Sequence, residues 1–335
     1  MNVSKMKKAL AVAMATLALT GLAAGCGADS ASSSGGSGKQ YKVGIVQLVE
    51  HNALDAANKG FVDGLKERGF EEGKNLTIDR QNAQADQSNL QNIAQRFVSA
   101  KMDLICAIAT PAAQTVANAT TDIPIVGTAI TDYVGAKLAA SNDLPGGNVT
   151  GTSDMNPIKE QVDLLLKIKP DVKTIGTIYT SSEVNSEVQV KAMQEYAESK
   201  GLTVKVATIS TVNDIQQAAQ SLVSSVDAFY EPTDNVIASA MPTLIAVTDA
   251  AKLPVICGEP NMVKAGALAT YGIDYYELGK QTGRMAADIL EGKAKPSSMP
   301  IEMAKTLKVS INKKDAALLG LTIPEDVLKG ADVVE

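Results

Sequence analysis

VGIVQLVEHNALDAANKGF, residues 43–61, contains the change of pattern that decides the fold. An apolar run from Val43 to Val46 ends in a polar loop carrying Glu50, the chain's single histidine (His51) and Asp55. Within a few residues the periodicity becomes helical, with Ala57, Gly60, Phe61, Gly64 and Leu65 on one i, i+3, i+4, i+7, i+8 stripe. Strand, polar loop and amphipathic helix in that order form the opening half of a βαβ unit. In open parallel sheets the loop after the strand's carboxyl end is where ligands bind.

Working outward, the same alternation repeats. Strands are expected at 76–81, 103–108 and 123–128, then in a second set at 174–179, 203–209, 227–231, 253–257 and 267–272. Further helical stripes run through Ile158, Val162, Leu165 and Leu166, and through Ile215, Ala218, Ala219, Leu222 and Val223. Gly69 and Gly201 stand where helices should stop. Strand–helix alternation of this kind specifies parallel sheets covered by helices on both faces. Two such sets give an α/β chain of two Rossmann-like lobes. The expected first lobe spans 41–150 plus about 275–335, and the second spans 151–274. LPGGNVTGTSD, residues 144–154, reads as a crossing segment, and the strand-like EMAKTLKVSIN (302–312) as part of a terminal return to the first lobe.

The first residues carry a different message. MNVSKMKKALAVAMATLALTGLAAGC has a lysine-bearing start, an apolar stretch from Ala9 to about Leu22, small residues and Cys26, the pattern of a secretory signal over 1–25. The Gly/Ser-rich segment that follows Cys26 to residue 40 reads as a flexible tether. Its GGSGKQ is not a phosphate-binding loop, because Ser33 and Gln40 occupy the places of the required Gly and Ser/Thr. Without residues 1–25 the chain has 28 basic against 37 acidic side chains, a formal charge of −9 and a poor surface for nucleic acid. Cys106 and Cys257 lie in apolar runs and read as two buried thiols.

Catalysis finds little support. The chain lacks G-x-S-x-G, G-x-G-x-x-G and H-E-x-x-H motifs and has one histidine. Glu50, His51 and Asp55 make a weak metal set, since adjacent residues rarely aim at one ion and no second His or nearby Cys joins them. No cofactor is indicated. The strand-end loops do suit a small polar ligand. They carry Gln47, Glu50, Asp55, Thr110, Thr180, Ser181, Asn185, Thr233, Asp234, Asn235 and Asp274. Several stand just before helices, whose free N–H groups attract a carboxylate or phosphate. All four arginines, Arg68, Arg80, Arg96 and Arg284, fall outside these loops. A ligand ammonium would call on Glu50, Asp55, Asp234, Glu259 or Asp274, so the pattern is consistent with a zwitterion. With no Trp and few aromatic rings a sugar is less favoured, though Phe229, Tyr230 or Tyr275 could stack on one.

These stretches, in this order, resemble one family. AAGC is similar to a bacterial lipobox. After the tether come YKVGIVQLVEHNALDAANKGFVDGLKERGF, DLICAIATPAAQT, NVTGTSDMNPIKEQVDLLLKIKP, YTSSEVNSEVQVK, YEPTDNVIASA and GALATYGIDYYELG. From residue 41 to about 315 the chain resembles the ABC-transporter substrate-binding lipoproteins of the tryptophan/tyrosine type. The resemblance implies a type I periplasmic-binding fold, lipidation of Cys26, anchorage to a membrane, and delivery of a small molecule to a permease driven by a cytoplasmic ATPase. It implies an amino-acid ligand, aromatic in that family, held among QLVEHNALD, ATPAA, GTSD, YTSSEVNS, EPTDN and YGIDY. The site residues expected from loops and resemblance together are Gln47, Glu50, His51, Leu54, Asp55, Thr110, Pro111, Ala112, Ser153, Asp154, Thr180, Ser181, Asn185, Ser186, Pro232, Thr233, Asp234, Asn235, Glu259 and Asp274. Residues 151–154 and 271–274 would lie at or near the hinge. A sugar or nucleoside carrier, or an exported sensor of the same fold, would use the same cleft.

Overall fold

A computed structural model describes residues 39–334. The signal-like segment, Cys26 and nearly all of the tether lie outside the described residues. The first sheet takes β1 (Tyr41–Gln47), β2 (Leu76–Asn82), β3 (Leu104–Ile108), β4 (Ile125–Ile130) and β5 (Val149–Ser153). The second takes β6 (Thr174–Thr180), β7 (Thr203–Ile209), β8 (Ala228–Glu231), β9 (Val255–Cys257) and β10 (Ala269–Ile273). After α10 (Tyr275–Leu290) the chain adds β11 (Glu302–Met303) to the first sheet, then β12 (Leu307–Asn312) and β13 (Asp332–Val334) to the second. Every pairing is parallel except β10 with β12.

Two boundaries differ from the sequence reading. The segment 144–154 is more than a crossing, because Val149–Ser153 pairs in register with β4 and extends the first sheet. Residues beyond 305 do not return to the first lobe. Ile311 pairs with Ala269 and buries its side chain in the second core, so the last strands complete the second sheet. The short, mixed EMAKTLKVSIN stretch has no periodicity that could show which sheet it would join. The chain crosses between sheets at Asp154, at Asp274 and at Ala304–Thr306. Ala304 N–H donates to Ser153 O and Asp274 N–H to Thr306 O, which ties the crossings together.

The two cores are built from the expected stripes. Helix α1 (Asn52–Glu67) buries Ala57, Gly60, Phe61, Gly64 and Leu65 together with Ala53 and Leu54. It lies against α10 closely enough that a Cβ at Gly60 would fall 2.1 Å from Tyr276 O, and one at Gly279 would fall 2.1 Å from Ala57 O. Glycine is therefore the residue that fits at both positions. This backbone-to-backbone packing brings the start of α10 beside the start of α1, which places Tyr275 near His51. Cys106 in β3 and Cys257 in β9 are free, buried thiols, one in each sheet. Among the described residues no helix is long and apolar enough to cross a membrane.

Candidate functional site

The carboxyl ends of both sheets face a narrow, largely enclosed cavity. His51, Ala53, Leu54, Ala129 and Thr131 line it from the first lobe, and Asp154 and Tyr275 from the crossings. Asn185, Thr233, Asp234, Asn235, Ala238 and Glu259 line it from the second lobe. Local structure explains the positions. His51 is the N-cap residue of α1, and Asn185 lies in the first turn of α5 (Val184–Ser199). Asp234 caps the short α7 (Asn235–Ser239), and Glu259 caps Pro260–Lys264. Ala129 has φ +56° where the register of β4 on β5 breaks, a left-handed conformation that L residues rarely adopt. Strain of this kind tends to gather at ligand sites, and here it turns the end of β4 into the cavity wall.

The electrostatics are one-sided. Three carboxyl groups, Asp154, Asp234 and Glu259, line the cavity, and no lysine or arginine does. Burial raises Asp154 above the ordinary aspartate range; Tyr275 Oη donates to its Oδ2 at 2.6 Å and Thr131 Oγ1 to its Oδ1 at 3.0 Å. Burial raises Glu259 to about 7. Behind the cavity, burial and the neighbouring Asp234 raise Glu183 to about 8. Burial also lowers His51, which favours its neutral ring. Asn185 is 4% exposed, and its Oδ1 has no hydrogen-bond partner. A buried acceptor left open costs free energy unless a ligand donor fills it. Opposite it, α1 begins without a side-chain cap, so the first-turn N–H groups of Ala53 and Leu54 have no intramolecular acceptor. Anion-accepting N–H groups thus share one cavity with cation-accepting oxygens.

Of the residues expected from sequence, His51, Leu54, Asp154, Asn185, Thr233, Asp234, Asn235 and Glu259 line the cavity. Gln47 is buried behind it, donating from Nε2 to Asp55 Oδ1 at 2.6 Å and accepting from Asn58. Glu50, Asp55 and Ser181 are exposed and do not line it. Thr110, Pro111 and Ala112 open α3 (Thr110–Ala119 in the chain) beyond the cavity, where Thr110 Oγ1 is buried without a partner. Ser153, Thr180 and Ser186 spend their hydroxyls on Thr131 O and on Asp234. Pro232 is buried beside the cavity, and Asp274 caps α10. Asp234 lines the cavity but is already saturated: it accepts from Thr180 N and Oγ1, Ser186 Oγ and Ile237 N. Ala129 and Thr131 were missed because the pattern shows nothing of a strand-end break, and Ala53 and Ala238 because a small apolar helix residue carries no signal for a cleft. Tyr275 was considered only as a stacking ring.

Direct bonds join the lobes. His51 Nε2 lies 3.3 Å from Asn235 Oδ1, and Gln189 Nε2, held within the second lobe by Thr233 Oγ1 at 2.6 Å, donates across to Thr131 Oγ1 at 3.3 Å.

Comparison with known proteins agrees with this architecture. The chain is 42% identical to the tyrosine-binding protein of Clostridioides difficile (strain R20291), over 98% of this chain and 93% of that protein. It is similar to the crystal structure of an ABC domain from Streptococcus pneumonia in complex with L-Trp (43% identity, 88% of this chain and 100% of that one, TM-score 0.86). It also resembles the ligand-free, open structure of a substrate binding protein with adhesive properties from Clostridium difficile (45% identity, 88% and 99%, TM-score 0.69). At nearly equal identity the L-Trp complex superposes better than the open structure, so the lobes here are arranged as in the liganded neighbour. A family model for ABC transporter substrate binding proteins matches residues 42–335, and with that extent of match and a curated relative this similar, the chain belongs to the ABC transporter substrate binding protein family.

Proposed function

We propose that this protein captures a free amino acid of the tyrosine or tryptophan class outside the cytoplasm and presents it to an ABC permease with a cytoplasmic ATPase. The observation that carries the reading is Asn185 Oδ1, an open buried acceptor in a cavity lined by three carboxyl groups and by no lysine or arginine. An α-ammonium group fills that need. The carboxylate of the same ligand suits the uncapped start of α1. The names of the similar proteins, one tyrosine-binding and one in complex with L-Trp, support an aromatic side chain. A ligand that touches both lobes binds the closed arrangement more tightly and shifts the population toward it. In this reading Asp154, Asn185 and Glu259 attract the ammonium and Ala53 and Leu54 hold the carboxylate.

The N-terminal sequence supports an anchor. Residues 1–25 act as a signal peptide, Cys26 takes the lipid, and the tether to residue 40 keeps the binding lobes beside the permease at high local concentration. Cys26→Ser should move the protein from the membrane to the soluble fraction; unchanged fractionation would refute the anchor.

The ligand is tested by native mass spectrometry of the chain lacking residues 1–25, after refolding, against a panel of amino acids, sugars and nucleosides. One bound L-tyrosine or L-tryptophan per chain is expected. A sugar or nucleoside as the sole adduct would overturn the specificity.

A further inference from the structure

The chain's single histidine reaches from one lobe to the other. Which atom donates in the His51–Asn235 contact is settled at the far end of Asn235. Asn235 Nδ2 lies 2.5 Å from Glu183 Oε2. The same carboxyl group accepts the backbone N–H groups of Asn235 and Val236 and the Nδ2 of Asn185. A carboxyl group faced by that many N–H donors acts as an acceptor. The amide nitrogen of Asn235 must therefore point to Glu183, and its oxygen to His51. His51 consequently donates from Nε2, and its neutral ring carries the one proton there. The contact spans residues 184 apart in the chain and exists only while the lobes are together.

We propose that His51, Asn235 and Glu183 form a latch: Glu183 orients Asn235, and the His51 Nε2–H···Oδ1 bond holds the closed arrangement whether or not a ligand is present. The proposal rests on the solute-binding reading above but not on the identity of the solute. His51 and Asn235 act here as positioning residues. A bond made only in the closed state favours that state by its own net free energy. Release requires opening, so the latch slows dissociation. Capture begins from the open state, so by holding the empty lobes together the latch slows association as well.

The test compares wild type with His51→Phe, His51→Gln, His51→Asn and Asn235→Ala. Glutamine places an amide N–H at the reach of Nε2, whereas asparagine falls one bond short. Small-angle X-ray scattering of the ligand-free chains should show a larger radius of gyration for H51F, H51N and N235A, and the wild-type radius for H51Q. Stopped-flow measurement with L-tyrosine should show dissociation faster by about fivefold in H51F and H51N, the size of one ordinary net hydrogen bond, and association no slower than in wild type, because more of the empty protein is open. Circular dichroism verifies that each variant folds. An unchanged radius in both H51F and N235A, or rescue by H51N as complete as by H51Q, would overturn the latch. If L-tyrosine does not bind, the ligand reading fails, while the scattering of the ligand-free chains still decides the latch.

Discussion

Two of the helices that begin at the cavity have their starts treated in opposite ways. The start of α1 has no side-chain cap, and Ala53 and Leu54 bring its open N–H groups to the wall. The start of α7 has two carboxyl groups on it: Asp234 accepts from Ile237 N, and Glu183 accepts from Asn235 N and Val236 N. Helix N-termini attract anions, and a protein can satisfy that attraction itself or leave it to a ligand. Here α7 is satisfied from within and α1 stays open. In the proposed function the difference separates residues that build the cleft from residues that bind, and casts Asp234 as a structural clamp rather than a grip on the ammonium.

The sharpest way to break this comparison is Asp234→Ala. It strands two backbone N–H groups and two hydroxyls, all buried, and should cost about 3 kcal/mol or more in urea unfolding monitored by circular dichroism. A stable variant with weakened binding alone would return Asp234 to the grip. Next in size is the dissection of the ligand. Tyramine, without the carboxylate, and 3-(4-hydroxyphenyl)propionate, without the ammonium, should each bind about 10- to 100-fold more weakly than L-tyrosine by calorimetry, one charge-assisted hydrogen bond each. Tyramine binding as tightly as L-tyrosine would show that the start of α1 is not the carboxylate site.

A smaller effect follows from pH. Glu259 is raised to about 7 and Glu183 to about 8 by burial. An ammonium in the cavity favours the charged form of Glu259, which lines it, and less strongly that of Glu183 behind it, so binding lowers these values and releases protons. L-tyrosine affinity should therefore rise from about pH 6 to about pH 8, with the proton release read as a buffer-dependent binding enthalpy. A carboxyl group raised in the folded state contributes stability below its unfolded value and loses it as pH rises through the raised one. The rise in Tm on adding L-tyrosine should accordingly be larger at the upper end of that window. Equal affinity throughout would remove the buried acids from recognition. Least of all should come from Glu50→Gln. Glu50 is exposed, so both affinity and stability should stay unchanged within about 0.5 kcal/mol. A clear loss of affinity would mean that the loop folds over the ligand.

Much of the fold could be read from the chain. Strand–helix alternation gave the parallel sheets, and the α1 stripe from Ala57 to Leu65 named that helix's buried face. Parts of the cavity lining were legible for the same reason, since loops after strand ends in open sheets face the cleft, as His51, Asn185 and Asn235 do. Glu50 and Asp274 stand in those loops yet do not line the cavity, because loop position does not reveal which way a side chain turns. The glycines at 60 and 279 were present as a signal of close helix packing, but each gains its meaning from a partner more than 200 residues away.

The sequence by itself determined the local conformations, the two α/β units and the acidic, arginine-free character of the cleft loops, because periodicity and composition act over a few residues. Tertiary structure decided three other matters: which sheet received the last strands, which carboxyl groups were already spent on the protein's own donors, and that a histidine would meet an asparagine across the cleft. Each depends on distances between groups far apart in the chain, and hydrogen bonds form or fail within a few tenths of an ångström.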